Sequence, residues 1–205
     1  MLNRLRRVMM PTLLALLVLT GCATTQITST WKAPDFQRPP QKVMVVGIAR
    51  KEVNRRVFED TFVSQLQGRG IAAVASYTEL PDVHKPDQAA LAAVMRKQGA
   101  DAVLITRLLN TRVRKTYVPG TFDSMPAYYG RWPNYYLFGY ETIYTPGYVA
   151  EDEYADVETN LYDLKDSKLL WSAASETAIR GSDQQLIKSF IKVMVETMVK
   201  QGVLR

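Results

Sequence analysis

Apolar positions along the chain switch between two periods. Val43-Met44-Val45-Val46-Gly47-Ile48 is an unbroken apolar run rich in β-branched residues, which predicts a strand covered on both faces and central in its sheet. From Val53 to Gln67 the residues Val53, Val57, Phe58, Phe62 and Leu66 recur at helical spacing, and Gly68 and Gly70 supply the stop. Ile71 to Tyr77 reads as a second strand followed by a turn at Pro81. Asp87 then caps an Ala-rich helix that runs through Gln98, with Leu91, Val94 and Met95 inward, and Gly99 ends it. Ala102-Val103-Leu104-Ile105 opens another buried strand, which becomes polar by Arg112 and stays extended towards Tyr117. Asp156 to Asp163 and Leu169 to Thr177 alternate as strands, and the polar link Leu164 to Lys168 has the length of a hairpin connection, so this pair is expected to be antiparallel. Ser182 and Gln185 form an S-x-x-Q capping box that opens a last helix, with Leu186, Ile187, Phe190, Ile191, Met194 and Met198 on one face. Ahead of the first apolar run, residues 23–40 are polar and turn-rich, with one extended candidate from Ile27 to Lys32. Trp31 and Trp171 read as core residues of their strands.

The order strand, strand, helix, strand, helix, strand, insert, strand, strand, helix predicts an α/β fold. It consists of a mixed β-sheet with a βαβαβ core, an antiparallel C-terminal hairpin and a closing C-terminal helix. A domain of this size buries about 70% of its unfolded surface and needs no metal or disulfide to fold.

The beginning of the chain has a different character. Asn3, Arg4, Arg6 and Arg7 form a basic flank, and Val8 to Leu19 is an apolar run broken only by Pro11 and Thr12, too short for a comfortable bilayer span and laid out as a secretory signal. It ends in Leu19-Thr20-Gly21-Cys22, and Cys22 is the only cysteine in the chain. These residues resemble the lipobox of bacterial lipoproteins. The resemblance implies cleavage between Gly21 and Cys22 and acylation of Cys22 with palmitate-class chains. Ala23 stands where the sorting rule of that family places Asp for inner-membrane retention, so the expected location is the outer membrane, lipid-anchored, on its periplasmic face. Several acyl chains hold a protein stably where one does so only marginally. The expected organisation is a signal peptide over 1–21, a lipidated tether with a possible first strand over 22–40, and a single α/β domain over 41–205.

Removing residues 1–21 takes away three arginines and no acid, so the formal charge falls from +6 to +3. Much of the basicity belongs to the leader, and no nucleic-acid partner is expected. One Cys and one His exclude an internal disulfide, the common zinc sites and Cys-His catalysis, and no cofactor or metal is expected.

Together with the lipobox, the strand entry Gly99-Ala100-Asp101-Ala102-Val103-Leu104 and the hairpin from Leu161 to Ser172 resemble bacterial outer-membrane lipoproteins. More distantly, the order of elements from Val43 to Val199 is similar to the periplasmic α/β domains of the TolB amino-terminal, curli-secretion lipoprotein and penicillin-binding-protein activator type. The resemblance implies a periplasmic, non-catalytic partner role and transfers no catalytic residue.

One segment departs from that compact pattern. Residues 117–148 hold 11 of the 20 aromatic residues in the chain, interrupted by four prolines and four glycines, with Asp123, Arg131 and Glu141 as the only charges. An insert of this length inside a compact domain is uncommon and tends to be functional or disordered. Tyr and Trp offer rigid contact area with a polar tip, the composition of recognition surfaces and of membrane interfaces. Three readings stay open: a self-packed lid or strand extension, a contact surface for an envelope protein or glycan, and an interfacial membrane contact. If the insert binds a partner, Trp132, Tyr135 and Tyr136 are the expected anchors, with Tyr128 and Tyr129 beside them.

Other candidates weigh less. Lys51, Arg55 and Arg56 sit near the start of the first helix, at the strand edge where open α/β sheets bind ligands, but no glycine-rich phosphate loop accompanies them, and a solvated basic face is expected. His84 is expected in an exposed loop. Glu151, Asp152, Glu153, Asp156 and Glu158 lack calcium-loop spacing and read as a hydrated acidic turn. Ser64, Ser76 and Ser172 have no nucleophile-elbow context. The expectation is therefore a non-catalytic binding or envelope-assembly module rather than an enzyme. The alternatives are an envelope glycan hydrolase using Asp152, Glu153 or Asp156, and a homo-oligomeric scaffold.

Overall fold

The computed structural model describes residues 25–79, 88–123 and 143–204. Six strands form one sheet in the order β1-β8-β7-β4-β2-β3, from β1 (Thr25–Lys32), β2 (Lys42–Ile48), β3 (Ala72–Ala75), β4 (Ala102–Val118), β7 (Tyr148–Asp163) and β8 (Leu169–Ala178). Two short strands, β5 (Thr121–Asp123) and β6 (Ile143–Thr145), pair with each other beyond the end of β4. The helices are α1 (Glu52–Gln67), α2 (Gln88–Lys97) and α3 (Asp183–Lys200). β2 pairs in parallel with β3 and β4, whereas β4, β7, β8 and β1 are successively antiparallel. This is the expected mixed sheet with its βαβαβ core, C-terminal hairpin and closing helix.

The continuous apolar run of β2 has its reason in two cores. Val43 and Val45 join Leu104, Leu161, Trp171, Phe62, Leu66, Ile191 and Met194 on the face covered by α1 and α3. Met44 and Val46 join Val103 and Met95 on the face covered by α2. A strand sandwiched in this way cannot alternate polar and apolar positions. α3 carries the capping box in full, Gln185 N–H donating to Ser182 Oγ and the Ser182 N–H donating back to Gln185 Oε1. Gly99 ends α2 at φ +68, a conformation that a side chain resists.

The conspicuous Gly-Ala-Asp entry is a structural clamp. Asp101 accepts the Lys42 N–H at 2.9 Å and the Gln41 N–H at 2.8 Å, and so joins the start of β2 to the start of β4. The link after β7 is likewise a tight turn, in which Asp163 Oδ1 accepts the Lys165 N–H and Ser167 adopts φ 60.

Three elements differ from the expectation. The second strand is shorter, ending at Ala75, because Ser76–Thr78 turns into a single 3-10 turn whose Ser76 hydroxyl is held by Glu59. β7 begins eight residues before Asp156, because its acidic residues find basic partners across the ladder. Trp31 is 47% exposed rather than part of the core, although Trp171 is fully buried as expected. A register shift between Ile27 and Ser29 inserts one extra residue in β1, which reverses the facing of the strand's later residues and turns Trp31 to the face opposite α1 and α3.

Candidate contact surface at the ribbon pole

β4 and β7 pair as far as Val118 and Tyr148, with one register shift between Leu108 and Asn110, whereas β8 leaves β7 at Tyr154↔Ala178. Beyond that row the two long strands continue as a ribbon of two strands, and β5 and β6 extend its end. Its root is held by charge. On the face away from α1 and α3, Arg107 Nε lies 2.8 Å from Glu158 Oε2 and Arg112 Nε lies 3.0 Å from Asp156 Oδ2. Arg112 and Arg114 both bind Glu176, and Arg180 Nη2 lies 2.5 Å from Asp152 Oδ1. The Arg114 guanidinium stacks over the Tyr154 ring, 4.4 Å from its centroid. On the other face Lys115 pairs with Glu151 at 2.7 Å. Apart from Glu153, which stands opposite Val113, the acids expected in a hydrated turn are thus paired with basic side chains of neighbouring segments, and opposite charges across a strand pair stabilise the sheet. Asp152, Glu153 and Asp156 lie along one strand, with Glu153 at a position of the opposite face, and do not converge across a cleft. Among the described residues no group of three or more His, Cys, Asp or Glu is placed to hold a metal ion.

Towards the end of the ribbon charge disappears. Residues 116–122 and 143–150 contain no charged side chain. Val113, Tyr117, Tyr148 and Val149 are each more than half exposed.

At the ribbon root, where β2 ends and α1 and α3 begin, lies an apolar groove of about 280 Å³ lined by Ile48, Phe58, Leu108, Val157, Ile179 and Ile187. Asn54 Nδ2 donates to Asp183 Oδ2 at 3.1 Å across its rim and links the starts of α1 and α3.

Of the basic side chains near α1, Lys51 and Arg56 are exposed as expected, whereas Arg55 is not. Arg55 and Glu59 are both fully buried and joined at 3.0 Å. Glu59 also accepts the Gly47 N–H, the Ser76 hydroxyl and the Tyr77 N–H, so this carboxylate gathers the end of β2, the turn after β3 and α1 into one node. Arg55 lies one turn from Glu59 on the inner face of the helix, where a cation is tolerated only when paired and hydrogen-bonded. Sequence spacing carried a signal for this pair in the i, i+4 Arg and Glu, but not for its burial. Arg56 remains on the surface with Glu52, at 3.0 Å.

Tyr77 Oη donates to Asp60 Oδ1 at 2.8 Å, and this hydrogen bond holds the phenol above its ordinary value. Lys168 donates to Asp166 from its backbone N–H and pairs with it through its ammonium, which lowers the Asp166 carboxyl and raises Lys168.

Gly21, Cys22, His84, Asp87, Tyr128, Tyr129, Trp132, Tyr135 and Tyr136 lie outside the described residues. The structure places the two ends of the insert, Tyr117 and Tyr148, near each other at the end of the ribbon, as neighbours of the Val118↔Tyr148 pair. No helix among the described residues is long and apolar enough to cross a membrane.

No protein-family model matches the chain, and no curated protein matches it. Among solved structures, the chain is similar to the PelC dodecamer from Paraburkholderia phytofirmans, at 13% identity and a TM-score of 0.47 over 88% of this chain and 99% of that one. It is similar to lipoprotein GNA1162 from Neisseria meningitidis at 13% identity and a TM-score of 0.42, over 78% of this chain and 99% of that one.

Proposed function

We propose that this chain is an exported, lipid-anchored module of the cell envelope that acts by binding rather than by turnover. The observation that carries the reading is the ribbon. Two strands of 17 and 16 residues outrun the sheet that packs the core and carry between them a segment that holds nine of the chain's 20 aromatic side chains. Extending a two-stranded ribbon past the hydrophobic core adds little to folding, since it buries few side chains and orders many residues. A contact made at its end supplies the reason for it. Of the acids proposed for glycan hydrolysis, Asp152 and Asp156 are engaged by Arg180 and Arg112 in bracing this ribbon, and Glu153 points to the other face of its strand, which favours binding over hydrolysis.

Acylation of Cys22 confines the module to a thin layer next to a leaflet and so raises the effective concentration of any envelope component near it. Protein, glycan and lipid are the classes that the insert composition admits. Replacing Trp132, Tyr135 and Tyr136 together by Ala removes envelope crosslinking from the insert while the far-UV spectrum stays that of the parent; unchanged crosslinking defeats the reading. For the anchor, Cys22→Ser gives a product that no longer incorporates labelled fatty acid.

A further inference from the structure

We infer that the aromatic end of the ribbon around Tyr117 and Tyr148 rests in the headgroup interface of the same leaflet that holds the acylated Cys22. The inference deepens the lipid-anchor reading and rests on it.

Sheet register carries the argument. Thr25, the first residue of β1, pairs with Thr177, which pairs with Ala155, which pairs with Thr111. The chain therefore leaves the domain in the row next to the ribbon root. β1 runs parallel to β7, because both are antiparallel to β8, so continuing β1 backwards from Thr25 leads towards the ribbon end and not away from it. Cys22 stands three residues before Thr25, a reach of at most about 10 Å, whereas Tyr148 stands seven residues beyond Ala155, about 24 Å along the ribbon. The tether is thus shorter than the ribbon beside it. With the strand axes along the leaflet normal, a ribbon of that length reaches past the level at which Cys22 is held, and its end meets lipid.

Composition agrees with the register. Nine large apolar side chains are exposed among the described residues, and all but Trp31 gather on the ribbon, around its root or at the nearby start of α1. Lys115 with Glu151 is the last charged rung of β4 and β7, and between it and Asp123 of β5 stand Tyr117, Tyr148 and Val149, an apolar and aromatic stretch of the kind that settles at headgroup depth. The open edges of a two-stranded ribbon would leave N–H and C=O groups unsatisfied in hydrocarbon, so the contact is interfacial and not a crossing.

The test uses the full, acylated chain in vesicles of phosphatidylethanolamine and phosphatidylglycerol. With Cys22 blocked by acylation, a nitroxide on Val149→Cys is unique, and one on Lys165→Cys, in the turn between β7 and β8 at the far end of the sheet, gives the aqueous reference. Collision with oxygen, relative to a water-soluble nickel chelate, is expected to be higher at position 149 than at 165, and this excess is expected to be lost when Tyr148→Lys is added. Equal values at the two positions in a chain that carries labelled fatty acid overturn the ribbon placement alone. A chain without fatty acid overturns the anchor reading and this inference together. Spin coupling between copies at position 149 without an oxygen excess assigns the surface to a second copy and overturns it as well.

Discussion

The Arg55 guanidinium and the Glu59 carboxylate meet at 3.0 Å with both side chains fully buried, one helical turn apart, beneath the end of β2. Glu59 serves two backbone donors from different elements in addition to Arg55, so the pair fixes where α1 sits on the sheet. Glu59→Gln removes the buried counter-charge of Arg55 and leaves it the half-exposed Glu52 at 3.6 Å, and is expected to cost about 3 kcal/mol. The urea midpoint falls with an unchanged slope. Replacing both members by Met and Leu is expected to cost less than the two single changes added together, which a double-mutant cycle reads directly.

Gly47 lies against the same node. A Cβ there would stand 2.8 Å from Phe58 Cδ1 and 3.6 Å from Glu59 Cγ. The Phe58 ring is itself packed against Phe62 and Phe190. Gly47→Ala is expected to destabilise by about 1–3 kcal/mol through overpacking. Adding Phe58→Leu restores part of the loss, and a second variant with no recovery would show that the clash lies with the Glu59 node instead.

Glu176 ties two arginines of the ribbon root to β8. Since both arginines are about half exposed, Glu176→Gln is expected to cost no more than about 1 kcal/mol, and less as salt is added. The effect is local: amide exchange quickens across the β4 and β7 segments near Arg112 and Arg114, while the amides of β2 are unchanged.

The Tyr77 phenol is raised above its ordinary value of 10.0 by the hydrogen bond that it donates to Asp60. A group whose folded value is raised contributes stability that is complete below the unfolded value and is lost as pH rises through the folded one. The stability difference between the parent chain and Tyr77→Phe is therefore expected to be constant near neutral pH and to shrink in alkaline solution above pH 10.0. Denaturant titrations at a series of pH values measure it, and a difference independent of pH would mean that the bond to Asp60 contributes nothing.

Local patterning made most of the architecture legible. The apolar run at Val43, the helical spacing through Leu66, the stop at Gly99 and the capping box at Ser182 each act over a few residues, and each lies in the predicted element. What the pattern could not convey was parity and partnership. One extra residue between Ile27 and Ser29 turns Trp31 outward, and no periodicity of β1 announces a shift defined only by its pairing with β8. Glu151, Asp156 and Glu158 resemble parts of a solvated turn until Lys115, Arg112 and Arg107 of β4 meet them, from 36 to 51 residues away in sequence.

For the candidate contact surface the division is similar. The aromatic richness of residues 117–148 and the lipobox at Cys22 belong to composition and spacing, and both are visible in the chain alone. Only the ladder Thr25↔Thr177↔Ala155 brings the start of the domain beside the ribbon root, because proximity between distant segments is created by backbone hydrogen bonding across strands and by the core that orders them. The amino acids determined which segments are strands, helices and uncharged aromatic ends; the tertiary register decided which of those ends share a pole, since a side chain's neighbours across a sheet are set by pairing that its own sequence does not contain.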